Sequence, residues 1–390
     1  MFDPCLLFKQ GLNLLPLTNI SHYSNSMKKT ISLLVFILAL TLINCRREEY
    51  KTITINEFPE SENLAGKPIE NITVLTRGNV NLICIDSFLV VQKSEEPIIQ
   101  IYNNKTFELL AEFGKKGRGP DEFISPELLN QTSFDSTNGS PVVCLYDKNR
   151  RRFVKVNILC AVNNMPNRIY TEVPIPKHDQ IFTYFFYRDD DLLIATPETE
   201  SRFIIYKDSS ESFKTVPFLP KPNFKMPELV LDFVYRSTSF IDKDRGLMVS
   251  APIFMGEIDF FDLDGNYLFS SIFFPREGLK KDLTSYGVNG SGFDPKYHIV
   301  QLHANKKFII ALNYNNYQSA FLNNDSSTLS NQSIMVFDWQ GNPVKKFVLD
   351  NSYFIKSFAV DWEKNRFYGY CSNENEHTII MYEFDKRLTD

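Results

Sequence analysis

The stretch Phe113-Gly114-Lys115-Lys116-Gly117-Arg118-Gly119-Pro120-Asp121-Glu122-Phe123 governs the reading of this chain. It follows a strand-like run, carries three glycines within six residues and then a proline, and is bracketed by two phenylalanines. Glycine opens backbone conformations closed to other residues and proline fixes its own φ, so the stretch reads as a shaped connection between two β units. On both sides short β-branched and aromatic runs alternate with turn residues, and sustained helical periodicity is nearly absent.

Working outward, one pattern returns: an apolar pair, an aromatic, a polar turn and a renewed strand. Its copies are Ile101-Tyr102-Asn103-Asn104-Lys105-Thr106-Phe107-Glu108-Leu109, Leu145-Tyr146-Asp147-Lys148-Asn149, Ile205-Tyr206-Lys207-Asp208-Ser209, Phe260-Phe261-Asp262-Leu263-Asp264-Gly265-Asn266, Val336-Phe337-Asp338-Trp339-Gln340-Gly341-Asn342 and Met381-Tyr382-Glu383-Phe384-Asp385. The central aromatics at 102, 146, 206, 261, 337 and 382 are spaced by 44, 60, 55, 76 and 45 residues. A period near 40–50 residues with about four strands marks a propeller blade. The longer intervals predict inserted loops at 217–227 and 313–331. Near-continuous apolar runs such as Phe88-Leu89-Val90-Val91 and Phe308-Ile309-Ile310-Ala311 suit inner strands covered on both faces. Thr52-Ile53-Thr54-Ile55 and Ile72-Thr73-Val74-Leu75 are expected to complete the last blade and close the ring. The expected fold is all-β, one six-bladed propeller of four-stranded antiparallel blades over 46–390, preceded by a lipoprotein signal peptide.

Composition agrees. Apolar residues make up 43% of the 390 and charged ones 23%, enough to bury a large core. The net charge of −5 disfavours nucleic acid, which rewards a basic face able to displace counterions.

The N-terminal region reads differently. Lys28-Lys29 follow Met27, Ile31 to Ile43 is almost wholly apolar, and Asn44-Cys45 closes the run. A basic start with an apolar core too short to span a bilayer comfortably reads as a secretory signal. Met27 is the expected start, with 1–26 upstream read-through. Leu42-Ile43-Asn44-Cys45 resembles a bacterial lipobox, with Asn44 where Gly, Ala or Ser usually stands, so Cys45 is the expected acylation site. Arg46-Arg47-Glu48-Glu49 then reads as a solvated linker, with a weak likeness to acidic tethers of surface lipoproteins. Cys84, Cys144, Cys160 and Cys371 are scattered without a CxxC pair and read as buried free thiols.

Together the signal, the hairpin series and the glycine loop resemble the TolB-like six-bladed β-propeller lipoproteins of the Bacteroidetes. The loop matches that family's FG-x-x-G-x-GPGEF segment, with Asp121 in place of a glycine. The resemblance implies fold and envelope location, most specifically the outer membrane. It carries over no catalytic residue.

Candidate chemistry is sparse. Gly114, Gly117 and Gly119 could line an anion-binding concavity beside Lys115, Lys116 and Arg118, with Pro120 and Glu122 completing a possible ligand contact. The loop is neither a Walker A nor a GxGxxG motif, and the bland reading is that Phe113 and Phe123 anchor it while glycines allow its turns. Asp262-Leu263-Asp264-Gly265-Asn266 superficially matches a calcium loop, but a hairpin turn explains it. His298 and His303, five apart on a strand, are expected on opposite faces, and no zinc spacing appears. Asp189-Asp190-Asp191, Asp242-Lys243-Asp244 and Asp361-Trp362-Glu363 read as solvated turns. No catalytic residue, metal or cofactor is assigned. The expected function is a non-catalytic binding or scaffold module for a peptide, glycan or protein partner. The alternative is a hydrolase or lyase with a metal or acidic site at the central channel.

Overall fold

A computed structural model describes residues 50–390 apart from 75, 77, 177–181, 199–200, 208–211, 222–223, 225, 227–229, 276–278, 281–293, 320–331, 373–376, 385–387 and 389–390. Met27, Cys45 and most of the 313–331 stretch lie outside the described residues.

Six antiparallel sheets arise from the alternating runs. Blade 1 is Asn81–Ile85, Phe88–Gln92, Ile99–Asn103 and Leu109–Phe113; blade 2 is Pro126–Phe134, Pro141–Asp147, Arg152–Asn157 and Tyr170–Val173. Blade 3 is Phe182–Arg188, Leu192–Pro197, Phe203–Lys207 and Phe213–Val216; blade 4 is Ser237–Asp242, Leu247–Pro252, Glu257–Asp262 and Tyr267–Ile272. Blade 5 is Lys296–Ala304, Phe308–Tyr317, Ser333–Asp338 and Pro343–Leu349. Blade 6 is Ile355–Asp361, Arg366–Ser372 and His377–Glu383, completed by Lys67–Thr73 from the other end of the chain. First strands of successive blades touch in order, and that of blade 6 returns to that of blade 1, so the ring is closed.

The core lies between blades. Six hydrophobic clusters each straddle one seam, for example Ile99 with Leu145 across blades 1 and 2, and Phe347 with Phe367 across blades 5 and 6. Second strands face a neighbour on both sides, and in blades 1, 2 and 3 every residue of that strand is buried. Each such Leu, Ile or Phe contributes roughly 1.5–3 kcal/mol on leaving water.

Polar groups finish two of these seams. Between blades 3 and 4, Arg202 and Asp259, 1% and 0% exposed, pair at 2.7 Å. The guanidinium also donates to Ser250 Oγ at 3.1 Å and lies over the rings of Phe203, Tyr235 and Phe261. Between blades 6 and 1, buried Asn104 donates to Asp361 Oδ2 at 3.1 Å and to the Asp86 carbonyl at 2.8 Å. Lys364 donates to Asn104 Oδ1 and stands 3.7 Å from Asp361, while Tyr368 OH donates to the Asn104 carbonyl.

The repeat motif marks the third strand in every blade but one. Tyr146 ends the second strand of blade 2, because the third strand there, Arg152–Asn157, runs into a five-residue helix, Ile158–Val162, instead of a tight turn. The hairpins of blades 4 and 5 are the same turn. Asp262 Oδ1 accepts from the N–H groups of Asp264 and Asn266, as Asp338 Oδ1 does from Gln340 and Asn342. Gly265 and Gly341 supply φ of 74° and 82°. The calcium-like spacing is thus a hairpin.

The N-terminal arm departs from expectation. Only Lys67–Thr73 closes blade 6. Thr52–Thr54 pairs in parallel with Tyr267–Ile272, and Ser61–Leu64 in parallel with Pro343–Leu349, giving blades 4 and 5 a fifth strand each. An open sheet edge offers backbone groups to any extended segment that reaches it, so side-chain pattern did not show where the arm would bind. The predicted insertion at 313–331 also begins too early, since the strand Phe308–Tyr317 continues through Asn313.

Candidate functional site

The first strands line a central cavity of about 2070 Å³. Irregularities in two of them shape its waist. The register of blade 2 shifts between Leu129 and Thr132, which frees Asn130 and Gln131 from ladder positions. Gln131 bonds the Arg188 backbone of blade 3 through both ends of its amide, at 2.7 and 3.3 Å. Asn130 Nδ2 donates to the Leu302 carbonyl of blade 5, three blades away and therefore across the ring.

Blade 5 carries two register shifts, between Tyr297 and Ile299 and between Ile299 and Gln301. Its Leu302 N–H donates to Thr238 of blade 4 at 3.2 Å, and Gln301 Oε1 accepts from the Phe358 N–H of blade 6 at 2.8 Å. His303 Nε2 stands 2.8 Å from the Phe358 carbonyl. A carbonyl only accepts, so Nε2 carries the hydrogen. Burial pushes the His303 pKa down to about 4, and the Phe358 carbonyl offsets part of that. Ser357 is 5% exposed, borders the cavity and leaves its Oγ without a protein partner.

Glu127 opens onto the cavity near the blade 1–2 connection. Its carboxyl is exposed on the cavity wall, and desolvation by the protein around the cavity raises its pKa to about 7 against the pull of Lys148. Cys84 also borders the cavity; burial, aided by Asp361, pushes its thiol up to about 12 and makes it a poor nucleophile. All four described cysteines are free.

The acidic clusters sit in hairpins at the far mouth. Lys243 takes up Asp191 at 2.6 Å and Asp189 at 2.9 Å, and hydrogen bonds to these two hold its ammonium above the usual lysine range. Asp242 pairs with Arg245. Among the described residues no three His, Cys, Asp or Glu side chains converge as a metal site requires. His298 lies away from the cavity against Phe274, its pKa lowered to about 3 by burial and then by Lys296.

The glycine loop joins blade 1 to blade 2. Phe113 and Phe123 both meet the ring of Tyr170 edge-on, at 5.9 and 5.7 Å. Lys115–Lys116 pairs with Glu122–Phe123 in a two-residue parallel ladder. Gly119 N–H donates to Glu122 Oε2 at 2.7 Å and Gly117 N–H to the Phe123 carbonyl at 3.0 Å. A Cβ on Gly117 would lie 2.0 Å from Glu122 Oε2, so the carboxylate fills the hollow between the glycines. Gly114 has φ of 86°. Arg150 clamps the Gly119 and Glu122 carbonyls. Lys115, Lys116, Arg118 and Pro120 are exposed, and of the loop residues Lys116 alone borders the cavity. Sequence reading did not single out Asn130, Gln131, Gln301, Ser357 or Glu127. Each is polar on a strand that turns inward, but their convergence comes from three blades.

Among solved structures, a DUF4221 family member from Bacteroides vulgatus superposes with a TM-score of 0.50 at 11% identity, over 84% of this chain and 98% of its own. A protein from Bacteroides fragilis, described as exported, gives 0.47 at 12% identity, over 85% and 99%. At such identity the likeness concerns the fold. No curated protein matches. The family described as TolB-like 6-blade propeller-like matches residues 86–363, and the chain belongs to that family.

Proposed function

We propose that this is a lipoprotein of the Bacteroidetes type, acylated at Cys45 and held at the outer membrane of the cell envelope, whose propeller is a non-catalytic binding or scaffold module. The signal-like run ending at Cys45 supports the location. The observation that carries the binding reading is the cavity wall. Its waist is built of amides and hydroxyls, namely Asn130, Gln131, Thr238, Gln301 and Ser357, beside apolar Leu128 and Val360. Few oriented hydrogen-bonding groups among apolar surface suit a sugar or the backbone and side chains of a peptide.

Glycan and peptide arrays probed with the intact chain test this. The expected result is a ligand whose affinity drops when Gln301→Ala or Ser357→Val alters the wall, with the ring still folded by circular dichroism. Binding unchanged in both variants would move the site elsewhere.

One observation favours the second reading, a hydrolase or lyase. Glu127, exposed on the cavity wall with its pKa raised to about 7, has the protonation behaviour of a general acid. Elemental analysis of the purified chain together with a hydrolase substrate panel separates the two. A stoichiometric metal or a turnover abolished by Glu127→Gln would replace the binding module.

A further inference from the structure

The outer rim of blades 3 and 4 carries exposed apolar side chains beside the point where the chain leads back to Cys45. Thr52–Thr54 is locked to blade 4, with Ser270 N–H donating to the Lys51 carbonyl at 3.1 Å and Ile55 N–H to the Ile272 carbonyl at 2.8 Å. Tyr50 meets Tyr267 edge-on at 5.2 Å, and Tyr267 OH donates to the same Lys51 carbonyl. The chain is therefore fixed to the propeller from Tyr50 onward.

Cys45 lies five residues before Tyr50. Even fully extended, five residues reach roughly 17 Å. An acylated cysteine sits at the boundary of the hydrocarbon, and the polar headgroup layer above it takes up roughly 5–8 Å of that reach. About 10 Å remains, the length of one or two side chains, so a lipid held at Cys45 brings this rim down to the headgroups.

The rim has the makeup of an interfacial surface. Phe213 is 49% exposed and Leu268 39% exposed, in the fourth strands of blades 3 and 4. The two strands meet at the Asp262–Asn266 hairpin, where Lys214 Nζ reaches the Asp264 carbonyl at 2.6 Å and Asn266 Oδ1 at 3.1 Å, and Lys207 pairs with Asp264. Lys51 Nζ stands over the Phe269 ring at 5.5 Å. Among the described residues Lys51, Lys207 and Lys214 stand around the two apolar residues, with Asp262 and Asp264 in the hairpin between the strands. Half-exposed Phe and Leu among lysines with apolar stems match the boundary between headgroups and acyl chains.

We infer that this blade 3–4 rim rests on the bilayer surface, with Phe213 and Leu268 entering the headgroup layer and the plane of the ring set by the short tether. The inference rests on acylation at Cys45. Membrane docking here is peripheral: among the described residues no helix is long and apolar enough to cross a bilayer.

The test places the photoreactive residue p-benzoyl-phenylalanine at 213, 268 or 109 in the full-length chain, expressed in its acylating host. Leu109 is the matched control, 48% exposed at the start of the outer strand of blade 1, which stands opposite blade 4 in the ring. Membranes are irradiated, and mass spectrometry reads both acylation of Cys45 and lipid adducts at the probe. Lipid adducts at 213 and 268 and none at 109, in chains acylated at Cys45, are expected. Adducts at 109 equal to those at 268, or none at 213 and 268 in acylated chains, would overturn the rim contact while leaving the anchor standing. An unacylated Cys45 would overturn the anchor and the rim contact together.

Discussion

The seam between blades 3 and 4 and the seam between blades 6 and 1 join like elements by unlike chemistry. At the first, a full positive charge on Arg202 and a full negative one on Asp259 meet with no access to water, wrapped by three aromatic rings. At the second, a neutral amide, Asn104, links Asp361 to Lys364 and Tyr368, and the lysine is 28% exposed. The attraction within a buried ion pair is largely cancelled by what desolvating both ions costs, so its net benefit is small while loss of either partner strands a charge. In the second network only Lys364 reaches water, so water can stand in for that lysine but not for the buried Asn104. The ring therefore has one seam where neither charge can be lost cheaply and one, its closure, that is forgiving at Lys364.

The largest effect is expected from Asp259→Ala, a loss of about 3–5 kcal/mol in urea unfolding, because Arg202 stays buried and unpaired. Replacing both partners, Arg202→Met with Asp259→Leu, should recover most of that loss; a double variant as unstable as the single would mean that the pair stabilises the seam directly. Asn104→Ala should cost less, about 1–3 kcal/mol, since it leaves buried polar groups on both blades 1 and 6 short of partners. Limited proteolysis should then show earlier release of the 67–73 strand.

A pH series separates both seams from the histidines. The folded pKa values of His303 and His298, about 4 and about 3, lie below the usual 6.5, so their contribution is complete above pH 6.5 and lost as pH falls from there towards 4 and 3. Melting temperature should drop over that interval, and less steeply in His303→Gln. Glu127 acts with the opposite sign. Its pKa is raised from 4.5 to about 7, so stability falls as pH rises between those values, and Glu127→Gln should flatten that limb. The smallest change is expected from Lys364→Met, within about 1 kcal/mol, as for other partly exposed pairs. A larger loss would make the closure seam as demanding as the buried one.

The blades were legible wherever one strand carries its own signal. Second strands announce themselves as apolar runs because both of their faces are covered, and Asp262 and Asp338 with Gly265 and Gly341 spell out one turn. Blade 2 was misread at Tyr146 because a helix replaces its outer hairpin while an aromatic before a polar turn recurs one strand early. Thr52–Thr54 and Ser61–Leu64 went astray because edge pairing uses backbone groups common to every sequence. The cavity was least legible. Asn130 and Gln301 stand 171 positions apart (301 − 130), and the register shifts that turn them inward leave no local mark.

The arm also dictates when the molecule can take its final shape. Thr52 pairs with Ser270, 218 positions on (270 − 52), and Thr73 with Thr378, 305 positions on (378 − 73). Chains emerge with the N-terminal side first, and contacts between distant segments form slowly because long loops must close before they are rewarded. The earliest propeller segment to be made thus waits longest for its partners. Thr52–Thr54 stays unpaired until blade 4 exists, Ser61–Leu64 until blade 5 and Lys67–Thr73 until blade 6, so ring closure waits on the whole chain. A ribosome that stalls before His377–Glu383 leaves five four-stranded blades and two strands of the sixth, which cannot become a ring.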